Sequence, residues 1–547
     1  MLLHFIATLT LPTVILLTAM ACTGSTVSPT TTKPTNLATP QPSVTPISTS
    51  AAGFRELNLV TSIVVPHWDV HLTPSPALAA WGPGIVYSRL LRFRSGPDIA
   101  IPNTATECDL CESWQQVSTT TYLFHLRKDL LWQDIPPVYG RGLVAQDISF
   151  SYQRQGNPSH PNATLLQSIQ SIEAEDTYTL RITLKAPNAD FPVSLASGFS
   201  KIVAPEAVNL NGHLRDGPII GSGPWLWNGT RDNLGSSFMA NPDYYEDDLP
   251  HLDRLNIHVI VDEQTRLVAF HLKKLDLIES PNSEFGDIRE SHPQTDFLLY
   301  REAGTGLELA LNSTIPPLDN PKVRKAIFSA LNPWEAMDIV WNGFGFVSLG
   351  MPVANPNWLL HEEEFRENLS NPSKAREFLA SVQQDLSLAF TLTVADFGDE
   401  YLEYAQILAR QLEAVGLQVS LTTVNPTDYP QEIWYGGNYS AFLGPIAPMT
   451  TPNMYMLSVL HSQGAWNTHA YSDPTLDSLI ENQAIAMDPA HRQELVLEIQ
   501  RHVMDNAVRF MPVTRVSTWV WWPKVKGFHP NLTSSEYFHL ARLRDEP

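Results

Sequence analysis

From about Phe54 onward the apolar residues fall into two rhythms, a period of two and a period near 3.6, that alternate along the chain. Phe54 to Val65 (FRELNLVTSIVV) is rich in β-branched residues and predicts a buried strand. Tyr122, Phe124 and Leu126 alternate with Leu123, His125 and Arg127, the pattern of a half-buried strand. Ile172 to Leu184 predicts a hairpin turning at Glu175-Asp176, with Tyr178, Leu180, Ile182 and Leu184 on one face. Between Gly221 and Ile278 the pattern gives a tight Gly/Pro turn and an exposed strand ending at the corner Asn241-Pro242-Asp243-Tyr244. A strand from Arg254 to Ile260 follows, then a helix capped near Asp262. Leu307, Leu309 and Leu311 mark another strand; Asp319 or Asn320 then caps, and Pro321 opens, a helix with Val323, Ile327 and Ala330 on its core face. Arg324 on that helix is expected to be structural, linking helix and strand.

The pattern is clearest from Asn371. Asn371-Pro372 starts a helix with Ala375, Phe378, Leu379 and Val382 at helical spacing. Next come a strand (Leu388, Phe390, Leu392, Val394), a helix from about Tyr401 to Val415 stopped by Gly416, and a strand (Leu417, Val419, Leu421). This is a βαβ unit, which requires parallel strands, so the region is α/β. Asp473-Pro474 and Asp488-Pro489 start two more helices, and Phe510 to Val520 alternates as a final strand.

The N-terminal part behaves differently. Its first 21 residues are apolar but broken by Pro12, and they end in Ala19-Met20-Ala21-Cys22, an export signal rather than a membrane span. The small residues before Cys22 resemble the lipobox of bacterial lipoproteins, which implies cleavage and acylation at Cys22; Ala19 stands where Leu is usual, and only His4 where a basic residue is expected. Thr23 to about Gly53 is Thr, Ser and Pro with Lys33 its only charge, a tether that lacks the apolar content to fold.

At 547 residues and 43% hydrophobic the chain can build two or three domains. Its formal charge of −22, from 35 basic and 57 acidic residues, makes nucleic acid an unsuitable partner. With Cys22 acylated, only Cys108 and Cys111 remain. No second Cys pair completes a zinc site, and Glu112 stands where haem attachment needs His, so a local disulfide is expected, with a reduced or redox-active pair as the alternative. Nucleophile-elbow, His-Glu-x-x-His, P-loop and dinucleotide fingerprints are absent from the sequence, and Gly221-Ser222-Gly223 does not supply the first. A binding protein is therefore expected rather than an enzyme, with no cofactor and no metal; His67, His461 and His469 lack ligand spacing. Fourteen tryptophans, including Trp68, Trp81, Trp358, Trp434 and Trp466, offer flat apolar area with a hydrogen-bonding edge.

Several stretches carry a resemblance. Gly221-Ser222-Gly223-Pro224-Trp225, then Asn241-Pro242-Asp243-Tyr244, a strand and a helix reached through Asp262, resembles the Gly-Thr-Gly-Pro-Tyr … Asn-Pro-Asp-Tyr segment of extracytoplasmic solute-binding proteins of peptide/nickel-type ABC importers, family 5. Glu112-Ser113-Trp114 with Tyr122 to Arg127, Val144 to Ile148, and Asn312 to Ala326 are similar to further signatures of that family.

The resemblance implies a two-lobed, type II periplasmic-binding-protein-like α/β fold in its large three-subdomain form, hinged between lobes. Residues 54–85, 205–305 and 512–547 would make the first lobe, 86–204 a β-rich subdomain inserted in it, and 306–511 the second lobe, with Tyr87 to Leu91 in a helix. It also implies a monomeric, lipid-anchored, extracytoplasmic receptor that closes on a small solute and delivers it to ABC permease subunits. A sensor that signals without transport is the alternative, and a hydrolase a remoter one. The expected ligand set is His67, Trp68 and Tyr87 from the first lobe with Trp434, Asn453, Tyr455, Trp466, Asn467 and His469 from the second. Peptide binders of the family carry an aspartate for the peptide α-ammonium in a loop that here reads GPIAPMTTPNMYM, Gly444 to Met456, without any acid. Free peptide N-termini are thus an unexpected ligand for this loop.

Overall fold

One strand, Arg509–Trp521, runs through both halves of the molecule. In this computed structural model, which describes residues 54–231, 235–301, 307–349, 351, 356–382, 387–445, 451–532 and 536–546, the residues from Phe54 on form one compact unit. The leader, the tether and Cys22 lie outside the described residues. Toward its C-terminal end the long strand pairs antiparallel with Leu277–Ser280 and Asp296–Arg301; toward its N-terminal end it pairs with Leu307–Leu311 and Gly345–Phe346.

The first lobe is built on a four-stranded sheet in the order Glu56–Thr61, Arg254–Val259, Gly235–Ala240, Trp225–Arg231, the first pair parallel. Where sequence predicts a single exposed strand there is a hairpin, and Gly235 to Phe238 of its inner strand are buried because neighbours flank both edges. The turn before it is tightly constrained. A Cβ on Gly221 would lie 2.1 Å from the Val86 carbonyl oxygen, and the Gly223 amide donates to that same oxygen at 2.9 Å. Asp262 caps the helix Glu263–His271, accepting from the Thr265 amide at 2.7 Å.

A second sheet, ordered Cys111–Ser118, Thr121–Leu126, Thr179–Leu184, Ile169–Ala174, buries Leu180, Ile182 and Leu184 as the alternation requires. The helix expected at Tyr87 to Leu91 is not formed. A single 3₁₀ turn, Pro83–Val86, gives way to extended chain and the strand Leu91–Phe93, paired with Thr106–Cys108. The reason is long-range. The Arg89 side chain is drawn into the core to make two 3.0 Å contacts with the Glu536 carboxylate, while the Asp109 and Leu110 amides donate to the Leu90 and Arg89 carbonyls.

The second lobe holds the predicted βαβ unit. Ala389–Ala395 and Gln418–Val424 pair in parallel across the helix Asp399–Glu413, and Gly416 leaves that helix at φ +105°. Asn320, Asn371, Asp473 and Asp488 cap their helices as predicted. Arg324 donates to the Leu318 and Asp319 carbonyls, tying the helix Pro321–Ala330 to the loop before it. Leu307–Leu311 is buried on both faces, being central in the sheet, so Glu308 is enclosed as well. The architecture is the two-lobed type II form.

The two halves also meet away from the shared strand. Asp190, just before the helix Phe191–Ala196, contacts Arg492 of the helix Pro489–Asp505 at 2.6 Å and accepts from the Asn453 amide at 2.8 Å. The Asn453 side chain bonds Asn188 and receives hydrogen bonds from Gln483 and Arg492, and the Ala189 amide reaches the Ala484 carbonyl. Asp190, Arg492, Asn453 and Gln483 are all buried. Arg492→Ala leaves the Asp190 carboxylate enclosed without its cation and is expected to cost about 3–5 kcal/mol in urea unfolding. Arg366→Ala, which removes the exposed pair with Glu362, is expected to cost about 0.5 kcal/mol. Equal effects of the two variants would contradict the assignment.

Candidate functional site

Strand Glu56–Thr61 ends where the Thr61 hydroxyl accepts from the Ile63 amide at 3.2 Å, turning the chain out of the sheet. Beside this turn lie the start of the helix Glu263–His271, the end of the strand Leu277–Ser280 and the middle of Arg509–Trp521. Together they line a cavity of about 330 Å³ beside the strand that both lobes share, all of its lining residues falling within 54–85, 205–305 and 512–547. One wall is aromatic: Trp81 stacks on Trp519 with centroids 5.4 Å apart and planes 10° from parallel. Asn282 is fixed at the rim, donating to the Val516 carbonyl at 3.1 Å and accepting from the Thr518 hydroxyl at 2.7 Å. The Arg266 Nη1 serves the Ile260 and Val261 carbonyls at 2.9 and 2.7 Å, and its Nη2 lies 3.9 Å from Glu263. Glu279 and Glu263 complete the polar lining with the Ser62 and Ser517 hydroxyls. The edges of the stacked indoles, with carboxylates and hydroxyls around them, suit an amphiphilic organic solute.

On the second-lobe end of the same strand a buried polar cluster surrounds Arg509. Its Nη2 meets Glu308 Oε2 at 2.7 Å, the Tyr455 hydroxyl donates to Glu308 Oε1 at 2.6 Å, and Nη1 lies 3.2 Å from His469 Nδ1. Arginine only donates, so His469 Nδ1 accepts and the ring is neutral with its proton on Nε2. Burial first, and then the Arg509 and Arg324 charges, hold this histidine well below its ordinary pKa.

Of the expected ligand residues, Tyr455 and His469 come together in this cluster. Trp466 packs edge-on against Tyr435, and Asn467 donates to the His461 and Tyr471 carbonyls, holding its own loop. Trp434 donates to the Pro445 carbonyl at 3.2 Å, at the mouth of the Gly444 to Met456 loop; residues 446–450 of that loop lie outside the described residues. Asn453 belongs to the contact between the lobes. In the first lobe, His67 bonds the Thr73 hydroxyl at 2.8 Å, Trp68 packs on Trp227 and Gly217, and Tyr87 is fully buried in the core. None of the nine lines the cavity. Sequence reasoning passed over Glu263, Glu279, Asn282 and Trp519, and named Trp81 only among the tryptophans. The available signal was the return of the final strand to the first lobe, which brings it beside the Asp262 cap. Cys108 and Cys111 are joined in a disulfide. Among the described residues no three His, Cys, Asp or Glu side chains are placed to hold a metal ion.

The sequence from residue 105 to 468 matches the model of bacterial extracellular solute-binding proteins, family 5 Middle, and the chain belongs to that family. It is 24% identical over 475 residues to heme-binding protein A of Haemophilus influenzae, covering 81% of this chain and 84% of that protein. It is 25% identical over 474 residues to di/tripeptide-binding protein 1 of Pseudomonas aeruginosa, covering 81% and 85%. In fold it is similar to HbpA2 from Haemophilus parasuis, with a TM-score of 0.76 at 22% identity over 90% of this chain and all of that one. The protein is an extracytoplasmic solute-binding protein of the ABC-importer kind, and its family is one of binders rather than catalysts.

The loop that carries His67 makes a pH prediction. His71 is buried, with Nε2 donating to the Lys201 carbonyl at 2.9 Å and Nδ1 accepting from Arg154 at 2.8 Å. Burial and then the Arg154 charge push it down to about 3, and burial takes His539 to about 4. The unfolded chain binds these protons near about pH 6.5 and the folded chain does not, so their contribution is complete above that pH and falls as the pH drops. Melting temperature is expected to decline from about pH 6.5 to 5.5, above most of the range where carboxylates titrate in the unfolded chain, and His71→Gln is expected to flatten the decline. A slope unchanged by the substitution would remove His71 from the account.

Proposed function

We propose that the cavity beside the shared strand is the solute site, and that the receptor binds by closing its lobes there. The observation supporting this reading is the position of the cavity on Arg509–Trp521, the strand that both lobes share, with walls from first-lobe segments that second-lobe contacts would complete on closure. Solute contacts made only in the closed form shift the population toward it, and the ABC permease responds to that form. The ligand is a small amphiphile. Relatives named for haem and for di- and tripeptides bracket the class as peptide-like or chelate-like, and a saccharide also suits indole walls. The acid-free Gly444 to Met456 loop argues against recognition of a peptide α-ammonium at that loop.

The protein works as a monomer held at the cell membrane by acylated Cys22 through the Thr23 to Gly53 tether. Its domains follow the boundaries read from sequence: 54–85 with 205–305 and 512–547, an inserted 86–204, and 306–511. Transport is favoured over signalling because similar solved structures are named as ABC-transporter binding proteins.

Two experiments test these statements. Native mass spectrometry of Phe54–Pro547 is expected to show a co-purified solute, and Ser62→Trp, which fills the cavity from an exposed position, is expected to abolish its binding while leaving the ligand-free melting temperature unchanged. Undiminished binding by Ser62→Trp would place the solute elsewhere. Labelled fatty acid is expected on the wild-type chain and to be absent from Cys22→Ser; label retained by that variant would exclude the anchor.

A further inference from the structure

We infer that the Cys108–Cys111 disulfide is a redox-sensitive clip, whose reduction by a dithiol loosens the seam between the second sheet and the first lobe while the rest of the protein stays folded. The inference is independent of where the solute binds.

The two cysteines are the adjoining ends of strands in different sheets. Cys108 closes Thr106–Cys108, which pairs with Leu91–Phe93, and Cys111 opens Cys111–Ser118 at the edge of the second sheet. Only Asp109 and Leu110 lie between them, both buried, and their polar groups hold three separate segments. The Asp109 carboxylate accepts from the Arg89 amide at 2.8 Å and from the Tyr245 hydroxyl, and it lies 3.8 Å from the Arg92 guanidinium. The Asp109 carbonyl accepts from Arg127 Nε at 3.1 Å, and the Leu110 carbonyl accepts from the Arg127 amide at 3.1 Å. Arg127 lies over the Tyr245 ring, 5.0 Å from its centroid, and Arg92 reaches Glu246. These contacts are all satisfied in one geometry of a two-residue loop, and the disulfide fixes the ends of that loop. Two unbonded thiols stand farther apart than two bonded sulfurs, so reduction opens the loop and moves Asp109 and Leu110 against every one of these partners.

The effect is local because the ring closed by the bond is small. A disulfide between residues three apart constrains the unfolded chain little, so its loss takes little from global stability. Cys108 is partly exposed and Cys111 is fully buried, which sets the order of events. A thiolate of the dithiol attacks the Cys108 sulfur, and the S–S bond breaks with its electron pair leaving on Cys111, which takes up a proton. The second thiol of the reductant loses its proton, attacks the mixed disulfide and releases Cys108, which is protonated in turn. The dithiol ends as a disulfide, and the protein has gained two electrons and two protons. Outside the cytoplasm the oxidised form is the resting one.

The test uses Phe54–Pro547, which forms a compact unit of its own and contains no other cysteine. Hydrogen exchange is followed by mass spectrometry before and after treatment with dithiothreitol, and the freed thiols are counted by alkylation. Peptides carrying the Arg89, Asp109, Leu110 and Arg127 amides are expected to exchange about tenfold faster or more once both thiols are free. Those from Ala389–Ala395 are expected to be unchanged, and reoxidation to restore the original rates. The double variant Cys108→Ser/Cys111→Ser is expected to exchange like the reduced protein and to ignore dithiothreitol. Unchanged rates in the fully reduced protein, a rise that extends to Ala389–Ala395, or a double variant that exchanges like the oxidised protein would overturn the inference. So would a disulfide that yields to dithiothreitol only after urea has unfolded the chain.

Discussion

The structure depends on the hydrogen-bond ladder of a single strand. Arg509–Trp521 donates and accepts along 13 residues, and the partners change midway from second-lobe strands to first-lobe strands. It joins Leu277–Ser280 and Asp296–Arg301 to the second-lobe strands in one eight-stranded sheet, so the two lobes are positioned together. The register shift opposite Leu307 to Leu309 falls near the change of partners, which gives the ladder a local irregularity where the two lobes join. The cavity lies just beyond that point, floored by the second half of the strand and walled by elements that are not part of it.

Buried charge is arranged around this frame in two ways. Glu308, Arg509, Tyr455 and His469 form a set enclosed within the second lobe, fixing the first residues of the strand to the loops that follow Pro452. Arg89 and Glu536 do the same for the first lobe, joining the early chain to its last turn. Such pairs add little net stability over apolar packing, but each is satisfied only in one arrangement of distant segments, which gives them a part in specifying the topology.

Local rules made the second lobe legible from sequence. The βαβ unit, the four caps and the alternating strands each depend on residues within one short stretch, and patterns of period two or 3.6 report them directly. The errors arose where a distant residue overrode a local preference. The family resemblance implied a helix at Tyr87 to Leu91, yet Arg89 is claimed by Glu536, 447 positions away. Glu308, between two leucines of the predicted strand, is enclosed along with them. The expected ligand residues, drawn largely from tryptophans and histidines, have other protein groups as visible partners: Trp434 on Pro445, His67 on Thr73, Tyr87 in the core. The cavity is lined by ordinary residues at the ends of elements, Ser62, Glu279 and Asn282, which become neighbours only once strands hundreds of residues apart are paired. The family motif at Gly221 was the most specific signal in the chain because a side chain there would collide with Val86, a constraint of packing that carries no information about solute.

The contact between Asp190 and the second lobe bears on how the lobes part. Its hydrogen bonds share partners: Asp190 holds both Arg492 and the Asn453 amide, Arg492 also holds Gln483 and Asn453, and Asn453 reaches back to Asn188. A small rotation that broke one of them would leave a charge out of water with its remaining partners misaligned, a more costly position than either end of the swing. The contact therefore releases as a whole or stays whole. Lobe motion at this edge behaves as a clasp rather than a spring, and the membrane partner is offered two distinct shapes to tell apart instead of a graded series.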